Sequence, residues 1–187
     1  MVRYWFFEDE KSTLIQVMRD AFIFNWRRGE DNKYPHFEAV RDSFYEEFEI
    51  YQEFIKAEFS SQIDVVRRCE LTYTNVVSPN NGLASPSDLG VILPSFAKLA
   101  AEAGFIGTNS SLVYRIDQTL EVELNVRVGK RPDSGEPAAS LELKAKGAPE
   151  DLRIASVKDW YEKSHDAIYN RFLSITSKSA QKGWQPK

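Results

Sequence analysis

The chain has 187 residues, of which 42% are hydrophobic and 13% aromatic, and 24 Lys and Arg against 28 Asp and Glu give a formal charge of −4. That apolar content can offset the ordering entropy of folding, which excludes an intrinsically disordered chain. No run of about 18 uncharged apolar residues exists, so we expect no membrane span, and the mild acidity argues against general nucleic-acid binding.

The single cysteine, Cys69, excludes an intrachain disulfide. Its alternating apolar neighbours predict a buried core thiol rather than a nucleophile. The apolar run in residues 1–8 is too short for a secretory signal. We therefore expect a reducing, cytoplasmic setting.

The first part of the chain predicts three short strands, at residues 3–8, 13–18 and 21–27. A two-residue turn between the last two would pair Val17 with Phe22 and Ile15 with Phe24. That register places five apolar side chains on one face of the hairpin: Ile15, Val17, Phe22, Phe24 and Trp26. A loop is predicted at residues 29–33.

A long helix is predicted over residues 35–59, with Pro35 at its first turn. Seven apolar residues fall within one arc of about 100°: Phe37, Val40, Phe44, Phe48, Tyr51, Ile55 and Phe59. A smaller ridge of Ile50, Phe54 and Ala57 predicts that the helix is covered on a second side.

Five carboxylates of this helix fall together on another arc, of about 80°. This acidic stripe consists of Glu38, Asp42, Glu46, Glu49 and Glu53. Residues 29–64 hold ten acids against three bases, a net charge of −7, so the stripe is a candidate docking surface for a protein with a basic surface. The competing interpretation is a plain solvated helix face, which is the commoner case.

The middle of the chain predicts a strand at 68–77, with Cys69, Leu71, Tyr73 and Asn75 on one side. An irregular connection follows, with a short strand at 89–93 and a helix at 95–103 that ends at Gly104.

Further strands are predicted at 111–116, 119–128 and 139–146, the last two joined by a long hairpin loop. Pairing Glu123 with Lys144 and Glu121 with Lys146 aligns both the apolar faces and the opposite charges. A final helix begins near Ser156 and presents seven residues as its less polar face: Val157, Trp160, Tyr161, Ser164, Ile168, Phe172 and Ile175.

These elements predict an α+β fold with a mostly antiparallel sheet of about six or seven strands and both long helices packed on one face. We expect one domain over 1–187, with candidate halves at 1–77 and 105–177 and a basic tail at 178–187. The two helices share a short sequence echo at residues 39–46 and 156–162. A duplicated βββα unit would explain it, but two amphipathic helices with common surface residues explain it more simply.

Catalytic motifs are missing from the sequence. It contains no phosphate loop, dinucleotide glycine pattern, nucleophile elbow or zinc spacing, and only two histidines, His36 and His165. We expect no metal, no cofactor and no catalytic residue, and we expect His36 to be exposed. His165, at the edge of the apolar arc of the last helix, is either a structural hydrogen-bonding residue or, less commonly, a general base.

Five polar residues are candidate ligand-binding residues: Asn25, Arg27, Tyr73, Asn75 and His165. Asparagine is unfavourable in strands, so the two in-strand asparagines indicate a polar network between strands or a ligand contact. Of these two, the structural network is the commoner.

Several stretches together resemble a family of uncharacterised bacterial proteins that occurs sporadically among species. They are residues 14–27, which include Phe22-Ile23-Phe24-Asn25-Trp26-Arg27, then Tyr34-Pro35, residues 69–75, His165 to Ile168 with Phe172 and Thr176, and Trp184. The family has no established activity to transfer. Its patchy distribution resembles that of mobile-element, defence or toxin–immunity genes, which is what the resemblance implies about context.

The sequence therefore predicts a non-enzymatic binding protein that uses the acidic stripe for a protein partner or the five polar residues for a small ligand. An enzyme with a site around His165, Asn25 and Arg27 is the alternative.

Overall fold

The alternating strands of the sequence assemble into two antiparallel sheets rather than one. In a computed structural model, the chain divides into two compact units, Met1–Ile63 and Asp64–Lys187. The structure describes residues 2–8, 12–29, 34–131 and 134–184. Most of the predicted loop at 29–33 and the last three residues of the predicted tail lie outside these ranges.

The first unit contains a three-stranded sheet of order β1-β2-β3 followed by one long helix. Its elements are β1 (Arg3–Phe7), β2 (Thr13–Met18), β3 (Ala21–Trp26) and α1 (His36–Phe59). The predicted hairpin register is confirmed, because Val17 lies opposite Phe22 and Ile15 opposite Phe24. Both the helix and the exposure of His36 are also as predicted.

Aromatic rings join α1 to β3. The ring of Phe22 lies 5.3 Å from the ring of Phe48 and 5.3 Å from that of Tyr51, centroid to centroid. The predicted apolar arc thus faces the sheet, although Phe37 is its only buried member. The prediction that α1 is also covered along its second apolar ridge is wrong, since Ile50 and Phe54 of that ridge are exposed.

The second unit contains a four-stranded antiparallel sheet of order β4-β7-β6-β5. The strands are β4 (Cys69–Val77), β5 (Thr108–Arg115), β6 (Leu120–Lys130) and β7 (Pro137–Gly147). Glu123 lies opposite Lys144 and Glu121 opposite Lys146, as predicted. The alternating apolar residues of β6 and β7 are buried, and they form the centre of the core.

Among the described residues of this unit, four segments are α-helical: α2 (Leu89–Ile92), α3 (Ala97–Ala100), α4 (Val157–Ile175) and α5 (Lys178–Trp184). The predicted less polar face of α4 is confirmed, with Val157, Trp160, Ser164 and Ile168 buried. Instead of a tail, residues 178–184 form α5, where the Trp184 indole N–H donates to the Asn81 carbonyl at 3.0 Å.

The predicted strand at 89–93 is wrong, because Leu89–Ile92 form the helix α2. The Asp88 carboxylate accepts a hydrogen bond from the Ser85 backbone N–H at 2.7 Å, which caps the preceding turn, and Pro86 favours a helical start. Gly90 lets α2 approach α3 closely, since a Cβ there would lie 2.8 Å from the Ala97 Cα.

A close backbone contact occurs where β7 ends. A Cβ atom on Gly147 would lie 1.8 Å from the Thr119 carbonyl oxygen. The Trp160 indole N–H donates to that same oxygen at 3.4 Å. This hydrogen bond attaches helix α4 to the end of the sheet where β6 begins and β7 ends.

The prediction of a single sheet with both long helices on one face is wrong. Sequence patterning indicated the strands and the registers of the β2–β3 and β6–β7 hairpins. Sheet membership, however, depends on pairing between strands that are distant in sequence. β4, for example, pairs with β7 and belongs to the second unit. Each unit nevertheless contains three consecutive antiparallel strands followed by a helix, β1–β3 with α1 and β5–β7 with α4, so the duplicated βββα unit stays a hypothesis.

Candidate functional site

The acidic stripe lies on the exposed part of α1. All five of its side chains are exposed, and at 1.5 Å per residue the stripe extends about 22 Å along the helix. Asp42 forms an ion pair with Arg41 at 2.7 Å. The stripe is therefore a continuous row of carboxylates to which Lys or Arg side chains of a partner have access.

A second cluster lies between β4 and α4. The Tyr73 hydroxyl and the His165 Nδ1 atom are 3.0 Å apart, within hydrogen-bond distance. One turn further along α4, the Tyr169 ring stacks on the His165 imidazole, with centroids 6.3 Å apart and an interplanar angle of 21°. Because His165 is half-buried, this cluster offers a hydroxyl and an imidazole at the edge of the core.

The structure brings together two of the five predicted ligand residues, Tyr73 and His165, and places Asn75 on the same face of β4 as Tyr73. Asn75 is half-buried. Sequence reasoning missed Tyr169, although its position four residues after His165 puts both on one side of a helix.

Asn25 and Arg27 belong to the first unit, whereas Tyr73, Asn75 and His165 belong to the second. The Asn25 side-chain amide donates to the Leu14 carbonyl oxygen at 3.2 Å, and Leu14 is the residue opposite it on β2. This cross-strand bond supports the structural interpretation of Asn25. Arg27 is exposed, and its backbone N–H donates to Ser12 at 2.9 Å.

Charged groups also cover the outer face of the second sheet, at Glu121, Glu123, Glu142, Lys144 and Lys146. The predicted register holds, but the ion pair forms diagonally, between Lys146 and Glu123. This pair lowers the pKa of Glu123 and raises that of Lys146. Charges of opposite sign alternate on this face, so it is a weaker candidate for binding a charged partner than the acidic stripe.

Two further polar contacts hold α4 against the sheet and were not predicted. Lys163 pairs with Asp117, in the turn before β6, and the Arg171 guanidinium lies 3.9 Å from the Tyr114 ring centroid on β5. Lys163 and the backbone N–H of Thr119 lower the pKa of Asp117 to about 2.

Cys69 is buried as predicted, and burial raises the pKa of its thiol to about 12, which keeps it protonated and unreactive near neutral pH. Within the described ranges, no group of three or more His, Cys, Asp or Glu side chains is placed to hold a metal ion. No helix among the described residues has the length and apolar character needed to cross a bilayer.

The fold and these sites define an α+β chain of two units, each built on an antiparallel sheet. The chain matches no protein-family model, no curated protein and no solved structure. Its resemblance to the sporadically distributed bacterial family stays a hypothesis.

Proposed function

We propose that this chain is a non-enzymatic binding protein that docks a basic protein surface through the acidic stripe of α1. The observation that carries the proposal is the exposure of all five carboxylates along one arc, while the aromatic arc of the same helix contacts β3. Action in the cytoplasm, within a bacterial defence or toxin–immunity system, belongs to the same proposal. The buried free thiol and the family resemblance support it.

The energetics of the stripe also favour a basic partner. Carboxylates three or four residues apart repel each other and cost a free helix roughly 0.2–0.5 kcal/mol per pair. A partner with Lys or Arg at matching spacing would remove this cost on binding. Exposed charges of this kind speed association more than they add affinity, and salt screens them.

The first test reverses three members of the stripe, in the variant Glu46→Lys, Glu49→Lys, Glu53→Lys. Wild type and variant would be used to capture partners from an extract of the source organism, and the captured protein would then be titrated against each. We expect the variant to bind at least about tenfold more weakly. The wild-type affinity should fall as salt rises from about 50 to 500 mM.

A matched control reverses three exposed acids outside α1: Glu102→Lys, Glu136→Lys and Glu150→Lys. It changes the net charge by the same amount, so it separates the stripe from general electrostatics. Retained binding in the control supports the proposal. Equal losses in both variants, or full binding by the stripe variant, would contradict it.

The contact between Tyr73 and His165 favours a second candidate, the binding of a small ligand near His165, with or without proton transfer by its imidazole. Inorganic phosphate and acetate are suitable first probes, because both accept hydrogen bonds. NMR titration should shift the His165 ring signals in wild type and not in Tyr73→Phe, while Tyr114→Phe, on β5, should behave as wild type. Unchanged His165 signals at millimolar probe would reject this candidate.

A further inference from the structure

The edge strand β1 is rich in aromatic residues, yet its aromatic side chains are exposed. Its four aromatic side chains, Tyr4, Trp5, Phe6 and Phe7, have exposed fractions of 61, 53, 57 and 58%. β1 pairs with β2 and is the edge strand of its sheet, with no strand on its other side among the described residues. An exposed apolar edge strand is a template for pairing with another chain, and proteins normally protect it with charge, proline or a bulge.

The four rings of β1 lie on both faces of the sheet. Tyr4 and Phe6 share a face with Val17 and Ile15, their partners on β2, and hence with Phe22 of β3. That is the face on which the Phe48 and Tyr51 rings of α1 contact Phe22 of β3. Trp5 and Phe7 lie on the opposite face, with their rings 6.0 Å apart.

The hydrogen-bonding phase of β1 follows from one observed bond. The Glu8 backbone N–H donates to the Thr13 carbonyl oxygen at 3.3 Å. Since backbone groups alternate in direction along a strand, the N–H and C=O groups of Arg3, Trp5 and Phe7 point to the open edge. A strand that pairs with this edge must therefore form its hydrogen bonds with Arg3, Trp5 and Phe7.

The β1 strand of a second copy, running antiparallel, can hydrogen-bond with the outward backbone groups of Arg3, Trp5 and Phe7 in a single register. Trp5 then lies opposite Trp5 of the other copy, Arg3 opposite Phe7, and Tyr4 opposite Phe6. Cross-strand aromatic pairs and a cation over an aromatic ring are both favourable. Parallel pairing in register would instead bring the two Arg3 side chains together and the two Glu8 side chains together, so like-charge repulsion favours the antiparallel direction.

We propose that β1 is a self-association edge, through which two copies of this chain pair antiparallel about Trp5 and join their three-stranded sheets into one of six strands. A two-fold axis closes this contact, so it yields a dimer rather than a fibre. About half of each ring is available, which amounts to roughly 400 Å² of ring surface per copy. The two copies together therefore offer roughly 800 Å² of ring surface, less than the about 1,200 Å² or more of standard stable interfaces, which fits a weak and reversible dimer.

Sedimentation velocity of the whole chain from about 1 to 200 μM tests the dimer. We expect concentration-dependent dimerisation in wild type and a dissociation constant at least about tenfold higher in Trp5→Lys, because edge lysines block strand pairing. The matched control is Phe54→Lys, which replaces an equally exposed aromatic, 52% against 53%, on α1. Far-UV circular dichroism checks that each variant is folded, and Phe7→Lys replaces Trp5→Lys if the latter is not.

Disulfide trapping tests the register. Trp5→Cys should form a dimer under mild oxidation, because residues in a hydrogen-bonded antiparallel pair have Cα atoms about 5.5 Å apart, within disulfide range. Phe7→Cys should not, since its two copies would lie about four residues apart. A monomeric wild type at 200 μM, or equal effects of Trp5→Lys and Phe54→Lys, would overturn the proposal. So would trapping by Phe7→Cys but not by Trp5→Cys.

Discussion

Asp117 shows how one carboxylate can connect a turn to a helix. Its side chain accepts hydrogen bonds from the Thr119 backbone N–H at 2.6 Å and from the Thr119 hydroxyl at 2.8 Å, and it pairs with Lys163 of α4. These interactions favour the charged form and hold its pKa at about 2. The predicted strands at 111–116 and 119–128 place Asp117 between two strands, but nothing in the sequence indicates its lysine partner, which lies 46 residues further along the chain.

The first prediction concerns the pH dependence of this contact. Because the folded pKa of Asp117 is depressed, its contribution to stability is present above the ordinary value of 3.8 and is lost as the pH falls through about 2. Since both side chains are partly exposed, Asp117→Asn should lower the free energy of unfolding at pH 7 by no more than about 1 kcal/mol. The difference from wild type should vanish near pH 2.

Urea unfolding at pH 7, 4 and 2 measures this dependence. Asp166→Asn, in an exposed position on the same helix, is the control and should follow the wild-type curve. If Asp117→Asn and wild type differed by the same amount at pH 7 and pH 2, the role assigned to the charge would be wrong.

At the scale of elements, β6 and β7 were the most predictable part of the chain. Each alternates apolar and polar residues over eight or more positions, and a one-residue slip would move every apolar side chain out of the core. The segment at 89–93 was less predictable, because a short apolar run fits a buried strand or a helix equally well. The contact of Tyr73 with His165 could not be predicted, since no periodicity links residues 92 positions apart.

The two faces of β6 should differ sharply in their sensitivity to substitution. Leu124 is fully buried, at 1% exposure, so Leu124→Ala should lower the free energy of unfolding by about 3 kcal/mol through lost burial and a cavity. Its neighbour Glu123 points to the other face and pairs with Lys146. Glu123→Gln should cost less than about 1 kcal/mol.

Urea denaturation of both variants provides the measurement, and the neighbouring positions serve as controls for each other. Similar losses for Leu124→Ala and Glu123→Gln would mean that the core does not lie on the assigned face of the sheet.

At the scale of the whole molecule, the two units differ in how much they bury. Among the described residues, the first unit has one buried hydrophobic residue, Phe37, and all the others belong to the second unit. Sequence composition gave no hint of this difference, because the first unit is also rich in aromatics. Its rings are distributed over β1 and several sides of α1, so they cannot all be buried by one three-stranded sheet.

This difference predicts unequal local stability. To compare the two units, we choose the strands that are paired on both sides, β2 in the first unit and β6 in the second. We expect amides of β6 to exchange with solvent at least about 100-fold more slowly than those of β2, since local opening is easier where few apolar groups are buried. Hydrogen-exchange mass spectrometry of the intact chain measures this ratio.

Equal protection of β2 and β6 would contradict the expected difference. It would show that the whole chain opens in a single cooperative step.

The close contact of Gly147 with the Thr119 carbonyl oxygen determines how freely the charged residues on the outer face of β6 and β7 can be substituted. A slip of β7 by two residues would keep every side chain on its own face, and apolar patterning alone would not oppose it. It would, however, bring Ala145 or Pro149 to the place of Gly147, where a methyl-sized group cannot coexist with the Thr119 oxygen. Steric exclusion at the Thr119 oxygen therefore fixes the register of β6 and β7. The glutamates and lysines on the outer face are not needed for this register, so they can be substituted during evolution or by design.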